Sequence, residues 1–381
     1  TYLFLANGTS VFYLTVNASG YYSARSLNSV VTGAPLPTSV SKLMSVDTYL
    51  FFNNVNSRNE FGRCEAGTPF VRAADATSCT YNTKNINDVI QSIELVHEKL
   101  FFLGSKISEF WQNTGDTNPF SRVTSSTRRV GTVTPYGIAK LDDDTGWFSN
   151  NRDLCVLNGY EPTIISGPYA KEFHALESVN SCEAEFISSI GGRKYLILTF
   201  PDGGRTIVYN TDTNSFSEWG TWDNDSNTYK IFKGRCYTYS TNWGLHLIGD
   251  RSNPIIYSMS PDEYTDEPEA MRTTLITGWY NHGTDQQKIS KKLYLDFRRG
   301  DGVASDPINT PANVWISWRD DKNLAWGNQV EINLGVQGDY TYPGYLSSLG
   351  TYRQRQYRIV FGDNAPLVLN KIEEEYELIG T

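Results

Sequence analysis

Apolar side chains in this sequence come in short runs, many of them β-branched or aromatic, separated by clusters of Gly, Asn, Asp and Pro. Short alternating runs bounded by turn residues predict strands joined in hairpins. The sharpest case is residues 2–6, then Asn7-Gly8, then residues 10–16. Asn-Gly accepts positive φ at both turn centres, so this stretch predicts a two-residue hairpin turn. Helical periodicity is almost absent. Residues 87–99 fit either state, and Val89-Ile90, Ile93 and Leu95-Val96 suit a strand equally well.

The hairpins recur. Strand-like runs begin near Tyr2, Tyr49, Leu100, Trp147, Tyr195 and Leu245, at spacings of 47, 51, 47, 48 and 50 residues. A second strand follows most of these runs, often with a short third one, and residues 89–96, 137–141, 184–189 and 229–239 read as strands that precede them. Four short strands repeated at this period make the blade of a β-propeller. One such sheet alone exposes an apolar face, and stacking against neighbours buries it. A β-sandwich of unrelated hairpins is the competing reading, and the regular period argues against it. We therefore expect an all-β chain, with a propeller of about six four-stranded blades over residues 1–265. An acidic linker at 263–269 follows, and then a C-terminal β-rich module over 266–381. There, residues 275–280, 291–297, 314–318, 329–334, 357–361 and 371–378 read as strands at irregular intervals, suggesting a β-sandwich-like body or a partial blade with an insertion.

Composition supports this picture. The 381 residues include 9 Trp, 24 Tyr and 18 Phe but only 3 Met, a usage suited to pleated, half-buried surfaces. The net charge is −9, shared between both parts of the chain, which disfavours holding nucleic acid by phosphate neutralisation. No apolar run is long enough to cross a bilayer, so membrane insertion is not expected. Thr1-Tyr2-Leu3-Phe4-Leu5 has no basic region and no initiator Met, so the N-terminus is expected upstream. Without a secretory signal, the sequons at Asn7, Asn17 and Asn224 carry little weight.

Candidate chemistry is sparse. Cys64, Cys79, Cys155, Cys182 and Cys236 are widely spaced, with no Cys-x-x-Cys and no nearby His, which reads as reduced core thiols; a Cys64–Cys79 pair stays open. Asp142-Asp143-Asp144 reads as a solvated hairpin turn, with a calcium loop as the functional alternative. It lacks EF-hand spacing, and adjacent acids on a strand point to opposite faces. Glu373-Glu374-Glu375 meets the same objection. Pro201-Asp202-Gly203-Gly204-Arg205 loosely resembles the Asp-box turn of sialidase propellers, without its closing Trp and only once. His97, His174, His246 and His282 read as hydrogen-bonded structural residues. There is no Gly-x-Ser-x-Gly and no P-loop. No catalytic, cofactor or metal residues are assigned. Two basic clusters remain: Lys288, Lys291, Lys292, Arg298 and Arg299 around one strand, and Arg353, Arg355 and Arg358 before another. Arg353 and Arg355 are expected to share a strand face. Because Arg and Tyr are enriched at interface hot spots, Arg353, Arg355, Tyr357, Lys291 and Lys292 are the candidate contact residues.

Three stretches together resemble a known family. The first is Ser108-Glu109-Phe110-Trp111-Gln112-Asn113-Thr114-Gly115, with Asn118-Pro119-Phe120 and Arg129-Val130-Gly131-Thr132. The second runs from Gly146-Trp147-Phe148 through Val156-Leu157-Asn158-Gly159-Tyr160 to Ile165-Ser166. The third is Tyr195-Leu196-Ile197-Leu198-Thr199-Phe200-Pro201, then Thr206-Ile207-Val208-Tyr209-Asn210, then Ser217-Glu218-Trp219. Their order resembles the packaged-DNA stabilisation proteins, or tail hub (nozzle) proteins, of short-tailed bacteriophages. Val208 and Asn210 stand where that family has Trp and Asp. The likeness covers about residues 90–220. It implies a non-enzymatic virion component, assembled in the host cytoplasm as a six-membered ring beneath the portal and its adaptor. Such a ring extends the DNA channel, lets DNA pass without specific contacts, helps retain packaged DNA, and anchors fibre, spike or needle proteins. A carbohydrate-binding or glycan-cleaving propeller, acting as a receptor-binding tail component, is the reading from another class.

Overall fold

The computed structural model describes residues 2–16, 19–84, 87–142, 144–266, 269–303, 310–340 and 344–379. Asn17 and Ala18 of the second sequon, Asp143 of the acidic turn, and Glu267 and Pro268 of the acidic linker lie outside the described residues. The chain divides into two compact units. The first holds Thr1–Gly220 and Ile231–Ser258, and the second holds Thr221–Lys230 and Met259–Thr381.

The first unit is a β-propeller built from six antiparallel sheets that follow one another along the chain. Sheet 1 comprises Leu3–Ala6, Val11–Val16 and Tyr22–Ser26. Sheet 2 comprises Leu43–Val46, Tyr49–Asn53, Glu60–Arg63 and Thr80–Asn82. Sheet 3 comprises Ile90–Val96, Lys99–Gly104, Ser108–Asn113 and Phe120–Arg122. Sheet 4 comprises Ile138–Leu141, Asp144–Phe148, Leu154–Asn158 and Glu161–Ile164. Sheet 5 comprises Glu183–Ile190, Arg193–Phe200 and Arg205–Asn210, and ends in the hairpin of Ser215–Asp223 and Thr228–Ile231. Sheet 6 comprises Gly234–Ser240, Leu245–Asp250 and Ile256–Met259. The ambiguous stretch 87–99 is thus a strand. Among the described residues the one α-helix is Ala170–Ala175, and no helix is long and apolar enough to cross a membrane.

Six sheets agree with the period of the sequence, but the strand count is not uniform. Sheets 1 and 6 have three strands. The run near Tyr2 is the first strand of its sheet, whereas those near Tyr49, Leu100, Trp147, Tyr195 and Leu245 are second strands. The hairpin before those second strands is often a two-residue turn with both residues at positive φ: Asp47-Thr48, His97-Glu98 and Gly191-Gly192. Asp142, at φ 47°, opens the equivalent turn of sheet 4. Such turns match strand twist, and Asp and His tolerate them. The Asn7-Gly8 hairpin differs from expectation. Ala6 pairs with Val11, so the loop has four residues, and of the pair only Gly8 takes positive φ. Asn7 instead accepts the amides of Thr9 (3.0 Å) and Ser10 (2.8 Å) through its side chain, an Asx turn in which it needs no left-handed backbone.

Apolar clusters join successive sheets. Val11, Tyr13, Leu50 and Phe52 join sheet 1 to sheet 2. Phe51, Phe61, Ile93, Phe102 and Trp111 join sheets 2 and 3. Phe101, Phe110, Trp147 and Leu157 join sheets 3 and 4, and Phe148, Leu154, Leu196 and Ile207 join sheets 4 and 5. Between sheets 5 and 6 ion pairs and hydrogen bonds contribute. Glu183 pairs with Arg235 (2.9 Å) and Arg251 (2.7 Å), and Glu185 accepts the amides of Cys236 and Tyr237.

The second unit packs two sheets face to face. Sheet 7 has the order Thr273–Ile276, Arg355–Phe361, Asn313–Asp320, Val330–Asn333. Sheet 8 has the order Tyr345–Tyr352, Lys288–Phe297, Leu369–Leu378. Leu293, Leu295 and Phe297 interleave with Val314, Ile316, Tyr357, Ile359 and Phe361 in one core, which makes the unit a β-sandwich. The six expected strands are present. Tyr345–Tyr352 was missed, because its sequence YLSSLGTY is too polar and carries a glycine.

Candidate functional site

The residues expected at a contact surface separate into two groups. Arg353 and Lys291 are exposed and Lys292 is half-buried. Lys291 forms an ion pair with Glu377 (2.5 Å), and Lys292 lies over the rings of Tyr294 and Tyr345. Arg355 and Tyr357, by contrast, are 0% and 2% exposed inside the sandwich, so they are unavailable as contact residues. The expectation failed because the chain turns at Arg353-Gln354, between Tyr345–Tyr352 of sheet 8 and Arg355–Phe361 of sheet 7. Arg353 and Arg355 therefore do not share a strand, and the alternation rule that placed them on one face does not apply.

Arg355 instead anchors a buried polar network. Its Nε and Nη2 donate to the two carboxylate oxygens of Asp320 (2.7 and 2.9 Å), and Nη2 also donates to the Leu349 carbonyl (2.8 Å). Nη1 lies 3.5 Å from the buried Glu374 carboxylate, whose other oxygen is 3.2 Å from His282 Nε2. Tyr352 stacks on the guanidinium and contacts the same imidazole nitrogen at 3.1 Å. Burial first, and the Glu374 carboxylate after it, raise the Tyr352 and Tyr357 phenols far above their ordinary value, so both stay neutral. Of the run Glu373-Glu374-Glu375, only the middle residue points inward, as strand alternation requires.

The opposite face of sheet 7 carries a second cluster. Arg358 lies opposite Ser317 and Arg319 opposite Gln356, so the two arginines are diagonal neighbours on one face. Arg319 stacks over Trp326 (4.5 Å) and Trp279 (5.4 Å), Arg358 over Trp326 (4.8 Å), and Arg272 over Trp222 (4.1 Å). No local sequence signal marks this cluster, because its members lie far apart in the chain and meet only through sheet pairing.

The remaining candidates have structural duties. His97 is a turn residue 3.5 Å from Asp144, and His246 Nδ1 meets the Tyr237 hydroxyl at 2.6 Å. Asp142 contacts Lys194. Pro201-Asp202-Gly203 forms a 3₁₀ turn within sheet 5. Cys64 and Cys79 are buried and free; burial pushes the Cys64 thiol up to about 12, which suits an inert core residue. A cleft of about 470 Å³ in the second unit is lined by Tyr294, Leu295, Asp296, Phe297, Arg299, Tyr340 and Gly344. It holds a single carboxylate, whereas the usual glycoside hydrolysis needs two.

The family-like stretches build the junction of sheets 3 and 4. Glu109, 1% exposed, accepts the Trp111 indole N–H (2.8 Å) and the Lys84 amide (3.3 Å). Gly131 donates its amide to the Asn150 side chain (2.8 Å) and accepts the Trp147 indole N–H (3.2 Å). Asp88, also buried, holds the facing turn by accepting the Ser105 hydroxyl and the amides of Lys106 and Ile107. In sheet 5, the Asn210 side chain accepts the amides of Asp212 and Thr213 and shapes the following turn. These hydrogen bonds fix the turns at which consecutive strands and sheets meet.

A family model described as Phage_stabilise, bacteriophage P22 Gp10, beta-propeller, matches residues 72–264, from the end of sheet 2 through sheet 6. The chain belongs to this phage stabilisation family. It is a bacteriophage structural protein. No curated protein matches the chain. Among solved structures, it is similar to an exo-β-1,3-galactanase from Phanerochaete chrysosporium at 11% identity, covering 98% of this chain and 93% of that one, with a TM-score of 0.32. It is also similar to Hsv2 from Kluyveromyces marxianus (9% identity, 68% of each chain, TM-score 0.39). A third is the computationally designed Ika8 protein (7% identity, 65% and 67%, TM-score 0.35).

Burial raises the Glu109 carboxyl above the ordinary glutamate value of 4.5, against the opposing hydrogen bonds from Trp111 and Lys84. A raised carboxyl binds its proton more tightly when folded. Its contribution to stability is therefore present below about pH 4.5 and lost as pH rises through the folded value. Glu109→Gln keeps an acceptor for Trp111 and cannot ionise. Urea unfolding at pH 4.5 and pH 7.5 should show a smaller loss of stability across that interval in the variant than in the parent. An unchanged loss would mean that Glu109 is not a source of it.

Proposed function

We propose that this family member is the hub, or nozzle, of a short-tailed phage tail. It works by assembly and contains no catalytic centre. The observation that carries this reading is the family match over residues 72–264, which spans the consecutive sheets of the propeller. Six copies form a ring below the portal–adaptor complex, extend its channel, and hold distal fibre, spike or needle proteins. Ring closure requires one face of each subunit to complement a different face of its neighbour. A propeller suits the task because its sheets form a rigid scaffold and its loops offer several contact surfaces. The net charge of −9 suits a passage through which DNA slides, since strong phosphate contacts would impede it. Of the expected contact residues, Arg353, Lys291 and Lys292 remain available to partners.

The test is to add the purified protein to DNA-filled heads that carry portal and adaptor but lack this chain. Six-fold density below the adaptor and retention of DNA are expected. Heads that keep their DNA without the chain, together with no binding to the adaptor, would overturn the reading. Hydrolysis or binding on a glycan array would support the carbohydrate-directed alternative.

A further inference from the structure

The Arg272, Arg319 and Arg358 cluster on the outer face of sheet 7 is unusual for this chain. Several arginines here pair with a carboxylate: Arg63 with Glu65, Arg128 with Glu161, Arg205 with Glu172 and Glu218, and Arg355 with Asp320. Among the described residues, Arg272, Arg319 and Arg358 have no carboxylate within salt-bridge range. Arg358 is destabilised as a cation, by burial and then by the charges of Arg272 and Arg319. Three like charges gathered on one face repel one another, and among the described residues the indoles rather than a carboxylate answer them.

The cluster is also pre-organised. Each guanidinium lies against an indole of Trp222, Trp279 or Trp326, which restricts its motion. Arg358 uses Nε on the Ser317 hydroxyl (3.1 Å), and both of its Nη groups lack a protein acceptor among the described residues. Arg319 uses Nε on Gln356 and Nη1 on the Leu324 carbonyl, and its Nη2 is unengaged. Diagonal neighbours on a sheet are about 7–8 Å apart. Alternate side chains on an extended strand recur at about 6.6–6.8 Å. The Arg358 fork and the Arg319 Nη2, carried on diagonal sheet positions, therefore suit acidic residues at i and i+2 of an extended segment.

We propose that this arginine–tryptophan face binds an extended acidic protein segment, one carboxylate of which takes a bidentate pair from the two Nη groups of Arg358 and the alternate one a hydrogen bond from Nη2 of Arg319, with Arg272 adding charge. Charge complementarity selects the partner's chemistry. The observations favour a protein segment over nucleic acid, because three cations on a chain of net charge −9 give too few phosphate contacts to hold a polyanion. The inference rests on the second unit alone, to which Trp222 belongs with Thr221–Lys230, and stands whether or not the chain is a tail hub.

The experiment uses the full chain, a hexaglutamate peptide and oligo-dT of equal charge. Tryptophan fluorescence and calorimetry are read at low and high salt. Hexaglutamate should bind, weaken as salt rises, and lose at least tenfold affinity in the Arg319→Gln/Arg358→Gln variant. Arg319→Lys/Arg358→Lys should keep the salt dependence but bind less tightly, since an ammonium lacks the fork. Thermal melting checks that both variants are folded. Should they melt early, salt-dependent quenching of the parent by hexaglutamate, absent with hexaserine, serves as the readout. Equal affinity in parent and Gln variant, no peptide effect on the parent, or tighter binding of oligo-dT than of hexaglutamate would each overturn the proposal.

Discussion

Replacing Arg355 with methionine should cost the C-terminal sandwich about 3–5 kcal/mol. The side chain is completely buried, and besides the Tyr352 and Trp318 rings its partners are polar: both oxygens of Asp320, the Leu349 carbonyl and the Glu374 carboxylate. Without the guanidinium, the interior Glu374 carboxylate loses its arginine and is left with His282 at 3.2 Å and the Tyr352 and Tyr357 phenols. Leaving a buried charge without its partner costs far more than the pair contributed while intact. The double variant Arg355→Met/Glu374→Leu removes both charges and should be less destabilised than the sum of the single changes, by about 1–3 kcal/mol. Denaturant unfolding of the full chain reads all three, with Trp318, 5.8 Å from the guanidinium, as a fluorescent reporter. A single variant within 1 kcal/mol of the parent, or strictly additive changes, would show that the network is not coupled as its geometry implies.

The second large effect is expected at Gly131. A Cβ there would lie 2.4 Å from the Gly104 carbonyl oxygen and 2.5 Å from the Lys106 amide nitrogen, both backbone atoms. The turn that supplies them is held by Asp88 through the hydroxyl of Ser105 and the amides of Lys106 and Ile107. On the other side, Gly131 is tied to Asn150 and Trp147, and the Thr132 amide bonds to Gly104. Neither side has a flexible side chain that could move away. Gly131→Ala should therefore cost about 3 kcal/mol, the upper end of ordinary overpacking. Gly167→Ala, where a Cβ meets nothing within 4 Å and φ is not positive, is the control and should be close to neutral. Comparable stability for the two variants in thermal melts would refute the backbone-contact account.

Gly131 also shows what the sequence could reveal. It stood out only as one letter of a family-like string, and the reason for it appears when Gly104 and Lys106 are brought against it from the neighbouring sheet. The propeller was legible because its strands pair with near neighbours in the chain. Alternation and turn residues are local signals, and a period near 48 residues follows from stacking like units. The number of strands per sheet was less legible, because the same apolar run serves as the second strand of most sheets and the first of sheet 1. The contact residues were the least legible. Arg353-Gln354-Arg355 looks like continuous strand until the chain is seen to turn there, which sends one arginine outward and the other into the core. The cluster of Arg272, Arg319 and Arg358 with its indoles could not be read at all, since residues from 222 to 358 meet on one face only through pairings distant in sequence.

The sheet junctions differ in the charge they carry. Sheets 1 to 5 are joined by interlocked aromatic and aliphatic side chains, and where sheet 6 meets sheet 5 the Glu183 ion pairs and the Glu185 hydrogen bonds are added. Ionic strength screens the exposed Arg235 arm of this network and leaves the mostly buried Glu183–Arg251 pair largely intact. Salt therefore frees Arg235 first, while Arg251 keeps the seam tied.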